Sequence, residues 1–85
     1  MIQKYQIDTY VTTLFMPWPC IDLCVHEQDG VPCLWVDVDL SLPARTRVFQ
    51  LVGTGMDAPS GVYHGTCFCD GYVWHIYETG TPDDS

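Results

Sequence analysis

From Arg45 to Val52 successive side chains alternate between two faces, and this period of two is what most limits the folds open to the chain. Arg45, Arg47, Phe49 and Leu51 fall on one side of an extended strand; Thr46, Val48, Gln50 and Val52 fall on the other. The run ends in Gly53-Thr54-Gly55, where two residues without Cβ allow a tight bend or a close backbone approach. The same alternation returns elsewhere. Ile21, Leu23 and Val25 oppose Cys20, Asp22, Cys24 and His26. Leu34, Val36, Val38 and Leu40 oppose Cys33, Trp35, Asp37 and Asp39. Tyr72, Trp74 and Ile76 oppose Val73, His75 and Tyr77. No segment sustains a helical period.

Turn residues cut the alternating runs. Asp29-Gly30 and Asp70-Gly71 are two-residue hairpin signals. Ile2 to Ile7 and Thr9 to Phe15 read as one strand pair or one bent strand, broken at Asp8. Met16-Pro17-Trp18-Pro19 reads as a loop or an edge, because each proline lacks a backbone donor. Val31 to Leu40 reads as one long strand, with Pro32 marking an edge or a bulge near its start. Val62 to Cys69 is interrupted by Gly65, Tyr72 to Glu78 closes the pattern, and residues 79–85 form a polar tail. The expected fold is one all-β domain over residues 1–85, a small antiparallel β-sandwich or open barrel of six to seven short strands. Its expected core includes Ile21, Leu23, Val25, Leu34, Val36, Val38, Val48 and Val52.

A chain of 85 residues buries only about 60 to 65% of its unfolded surface. Yet 47% of it is apolar, with three Trp, five Tyr and three Phe. That excess over what a small core uses predicts a symmetric homodimer or homotetramer. Eleven acidic residues against three basic ones give a net charge of −8, a field that repels long nucleic acid and anionic membranes. A small anion is still admissible, since aimed donors act at short range. No leader-like segment and no apolar run of about 18 residues is present. Five cysteines, an odd number, read as reduced thiols in the cytoplasm.

Cys67 and Cys69, with His64 or His75, contain metal-ligand types, but two residues along a strand put the thiols about 7 Å apart, wide for one tetrahedral ion. Cys20 and Cys24 lie about 13 Å apart by the same rise. No nucleophile elbow accompanies the cysteines and histidines. Asp37 and Asp39, near Asp22 across a hairpin, read as a solvated row. The expectation is therefore no catalysis, no metal and no cofactor. The remaining constellation is a ligand pocket. Arg45 and Arg47 supply bidentate donors, Gly53, Thr54 and Gly55 form a nest of amides, and Trp18, Trp35, Tyr63 and Trp74 offer rings on which a base can stack. The plain alternative is that the arginines neutralise acidic neighbours and the aromatic side chains fill the core.

Four stretches together carry a resemblance: Gly30-Val31-Pro32-Cys33-Leu34-Trp35, then Arg47 through Gly55, then Tyr63-His64-Gly65-Thr66, then Val73-Trp74-His75-Ile76-Tyr77-Glu78. As a set they resemble a family of short tailed-phage proteins with a G-x-P-C-L-W hairpin, a G-T-G turn and a Y-x-G-T strand. Where such relatives carry His-Pro after the G-T-G turn, this chain has Met56-Asp57. The resemblance implies the cytoplasm of an infected bacterial host. By analogy with anti-CBASS sponges, it implies a protein that sequesters a cyclic-nucleotide immune signal, most simply a cyclic dinucleotide, in a pocket of a homo-oligomer. The alternative it implies is an accessory module that binds a host protein.

Overall fold

Two tight hairpins set the register of the computed structural model, which describes residues 1–82. Asp29 and Gly30 both adopt positive φ, 54° and 79°, as do Asp70 and Gly71, at 52° and 80°. That pair of angles is the type I′ turn, whose twist matches the strands it joins. The turns connect β3 (Ile21–Gln28) to β4 (Val31–Asp37) and β6 (Val62–Cys69) to β7 (Tyr72–Gly80); β1 (Ile2–Gln6), β2 (Val11–Pro17) and β5 (Ala44–Gly53) complete the fold. All pairings are antiparallel.

The strands form two sheets, β1-β4-β3 and β2-β5-β7-β6, packed as a sandwich. Leu34 and Val36 from the first sheet meet Met16, Phe49, Leu51, Cys67 and Ile76 from the second, with Ile7 and Val38 closing the ends. No helix among the described residues is long and apolar enough to cross a membrane. The part of the expected tail at residues 83–85 lies outside the described residues, while β7 runs on to Gly80.

Three expectations need correction. The first two strands neither pair nor form one bent strand: β1 pairs with β4 and β2 with β5, so the chain crosses between sheets after Ile7. Pro32 sits in a central strand, tolerated because the β1 ladder stops at Gln6 opposite Cys33; its carbonyl accepts from the Ile7 amide at 2.8 Å. Ile21 and Leu23 are not core residues, at 64% and 48% exposure. A β-bulge between Asp22 and Cys24 inserts Leu23, so Asp22 lies opposite Val36 and Val25 opposite Leu34 on the inner face. One extra residue reverses the faces upstream of it. Leu34, Val36, Val38 and Val52 are buried as expected, and Val25 and Val48 are half-buried.

The outer face of the four-stranded sheet follows from the same register. β2 presents Val11, Thr13 and Phe15; β5 presents Thr46, Val48 and Gln50, while Val52, of the same parity, is buried beside Met56 and Ala58 of the loop that follows β5. β7 presents Val73, His75 and Tyr77, and β6 presents Tyr63, Thr66 and Phe68. None of these residues carries a formal charge when His75 is neutral.

Candidate functional site

Arg47 points inward with Phe49 and Leu51 and is 1% exposed. A guanidinium survives burial only if its donors and charge are matched. Here they are. Nε donates to Glu78 Oε2 at 2.9 Å and Nη2 to Glu78 Oε1 at 2.7 Å. Nη1 and Nη2 donate to Asp22 Oδ1 and Oδ2, both at 2.8 Å. The remaining Nη1 hydrogen faces Met16 Sδ at 3.3 Å and Cys20 Sγ at 3.4 Å. All five N–H donors are thus engaged. The guanidinium also lies over the rings of Trp18 and Phe49, 5.2 and 5.0 Å from their centroids.

Each acidic or imidazole member of this cluster arrives beside a β-bulge. Asp22 precedes the bulge in β3. His64 is the extra residue of the bulge in β6, between Tyr63 and Gly65. Glu78 precedes the bulge in β7, where Val48 pairs with Gly80 and Phe49 with Glu78. Bulges re-aim side chains, and here three of them turn polar groups from different strands to one point. His64 Nε2 lies 2.8 Å from Glu78 Oε1, and His64 Nδ1 lies 3.4 Å from Asp22 Oδ2. Gly65 permits the close approach of β6 to β3, since a Cβ there would stand 3.1 Å from Val25 Cβ.

The electrostatics are those of a closed network. Burial works against ionisation of Glu78, but hydrogen bonds from Arg47 and His64, together with their charges, outweigh it and hold the carboxyl at about 2. Burial likewise opposes the charge on Arg47, and the bonds to Asp22 and Glu78 raise its pKa above the ordinary arginine value. Ligand atoms of Asp22, His64 and Glu78 lie within 4.8 Å of one another, a donor set that suits a divalent cation. The Arg47 guanidinium, however, engages all four of the carboxylate oxygens such an ion would use. In this arrangement it is the cluster's cation.

The residues expected to form one ligand pocket do not converge. Arg47 has no donor left for a phosphate. Arg45 is exposed at the start of β5, about 26 Å along the strand from Gly53. Trp18 packs over Arg47. Trp35 lies on the outer face of the three-stranded sheet with Ile2, Leu23, Cys24 and His26. Trp74 contacts Tyr10 edge-on at 5.9 Å and lines a shallow cavity of about 230 Å³ with Ile7, Pro32 and Leu51. Only Gly53, Thr54, Gly55 and Tyr63 share a surface. The glycine turn is closed by the Met56 amide donating to the Gly53 carbonyl at 3.1 Å. It borders a concavity of about 210 Å³ with His75 and Tyr77. His75 bridges Thr54 Oγ1 at 3.0 Å and Thr66 Oγ1 at 2.9 Å, while the Tyr63 ring packs on Tyr77 at 5.5 Å.

Sequence reasoning passed over Asp22, His64 and Glu78 as partners of Arg47. The available signal was an arginine on the same strand face as Phe49 and Leu51, which demands buried carboxylates. The motif stretches map onto these features: Gly30 makes the hairpin, Cys33 and Leu34 are core, and His64 and Glu78 belong to the charge cluster.

The chain belongs to DUF7352, a domain family of unknown function whose family model matches residues 1–85. No curated protein and no solved structure matches it.

Proposed function

We propose that the protein is a non-catalytic binding module that works through the uncharged outer face of its four-stranded sheet, in keeping with the resemblance of its motifs to short tailed-phage proteins. One observation carries this reading. Across four strands, twelve outward positions hold no Asp, Glu, Lys or Arg, whereas 16% of the chain is charged overall. Random placement would put about two charges there, and exposed positions are ordinarily richer still. Phe15 and Phe68 on that face are 68% and 76% exposed. Large exposed apolar surface rimmed by polar residues marks binding faces. The polar interior is committed to structure, because Arg47, Asp22, Glu78 and His64 satisfy one another.

Sequestration of a cyclic nucleotide is the second reading. Its support is the glycine turn, His75, Tyr77 and Tyr63 on this same face. The concavity of about 210 Å³ falls below the roughly 300 to 1,000 Å³ of ordinary ligand sites, so it would take such a ligand only when doubled across a two-fold axis.

Side-chain oxidation footprinting of the protein in host lysate, against the same protein dilute in buffer, tests the first reading. Protection should fall on Phe15, Tyr63 and Phe68. Protection confined to Leu23 and Trp35 would overturn it. A thermal-shift screen with cyclic di- and trinucleotides separates the two readings. A ligand at 100 times its Kd adds about 2.7 kcal/mol, a shift that the first reading does not expect.

A further inference from the structure

We infer that the occupant of the uncharged sheet face is a second copy of this chain, packed sheet against sheet; this rests on the reading that the face is the working surface. The charge distribution carries the argument. Each copy bears a net charge of −8, so two copies repel over every surface that displays carboxylates. At physiological salt that repulsion reaches about 8 Å. A face whose outward strand positions carry no acidic group lets like copies come into contact at the least cost in repulsion.

The outer face of the three-stranded sheet does not meet that condition. It holds an apolar patch around Trp35, Ile2 and Leu23, but Lys4 bonds Gln28 at 2.6 Å across it and Asp37 pairs with the N-terminus at 3.1 Å at its end. The four-stranded face has the required extent as well. Aromatic side chains offer about 150 to 250 Å² each, and Phe15, Tyr63 and Phe68 are all more than half exposed. With Val11, at 59% exposure, and the neutral residues between them, the face approaches the ~800 Å² that each partner gives to an interface of standard size. Phe15 on β2 and Phe68 on β6 stand on opposite edge strands, so a contact using both spans the whole sheet. Two such sheets stack about 10 Å apart, as in a sandwich core.

The test is the mass in solution by light scattering and sedimentation equilibrium on the wild-type chain and three variants. Wild type should weigh twice 9.6 kDa at high micromolar concentration. Phe68→Glu and Thr13→Glu, on the two edge strands of the face, each introduce like charges on both copies and should halve that mass. Leu23→Glu, on the other sheet's outer face, should leave it unchanged. These positions are exposed, so far-UV spectra should match wild type, and either face variant alone decides the matter if the other misfolds. A wild-type mass near 9.6 kDa throughout overturns the second copy but leaves the face open to another partner. A dimer that survives both face substitutions and is lost in Leu23→Glu overturns the face, and with it the reading beneath this inference.

Discussion

Arg47 decides how the interior is built. A buried ion pair is weak evidence for stability, because desolvation offsets much of its attraction, but breaking one from a single side is costly. Arg47→Met leaves Asp22 and Glu78 facing each other without the guanidinium that bonds all four of their oxygens, and should cost about 3 to 5 kcal/mol in urea unfolding. A domain of this size holds only about 5 to 10 kcal/mol in total, so the variant should sit near the edge of folding. Adding Glu78→Gln should recover part of the loss. Glu78 also sets the acid limit. Its carboxyl is depressed from 4.5 to about 2 in the folded chain, so its contribution is complete above the unfolded value and is lost as pH falls from about 4.5 toward 2. That depression corresponds to roughly 3 kcal/mol. A wild-type Tm that stays constant from pH 6 down to 2.5 would contradict it. The thiols supply a further check. Cys24 is exposed, Cys20 is half-buried, and Cys33, Cys67 and Cys69 are buried, with burial pushing the thiol pKa of these last four up. Ellman's reagent should therefore find one fast thiol in the native protein and five after denaturation; a fast count of three or more would mean that the inner face opens readily.

The strands and hairpins were legible because their signals are local. A two-residue Asp-Gly turn between alternating runs needs nothing beyond its neighbours to be read, and both such turns form where the sequence places them. The bulges were not legible. Ile21, Leu23 and Val25 alternate as cleanly as a regular strand, and the insertion at Leu23 exists only relative to the partner strand, where Asp22 pairs with Val36 and Cys24 with Trp35. The burial of Arg47 was hidden for the same reason: its carboxylates lie 25 and 31 residues away. The glycines separate local from tertiary effects at this scale. Gly71 has φ of 80° and open space where a Cβ would go, while a Cβ on Gly65 would meet Val25. Gly71→Ala should cost about 1 to 2 kcal/mol from left-handed strain alone. Gly65→Ala should cost about 1 to 3 kcal/mol through overpacking against β3. Val25→Ala should relieve the second and leave the first untouched, which a double-mutant cycle in urea measures directly.

At the scale of the whole molecule the acidic surface and the neutral sheet face oppose each other. The described residues extend 39 × 27 × 17 Å. At about 0.01 M ionic strength the screening length is ~30 Å, so each carboxylate acts on nearly all the others; at about 0.15 M it is ~8 Å and only neighbours interact. With eleven acidic residues against three basic ones, the surface term is net repulsion, which destabilises the compact state. The Arg47 cluster is buried and is screened far less. The Tm should therefore rise as sodium chloride is increased across that range, and should rise in parallel in Arg47→Met at a lower absolute temperature. A Tm that falls with salt would mean that surface attraction, such as the exposed pair between the N-terminus and Asp37, outweighs the repulsion. If the rise is instead lost in Arg47→Met, the salt is acting on the cluster and the charge cannot be assigned to the surface.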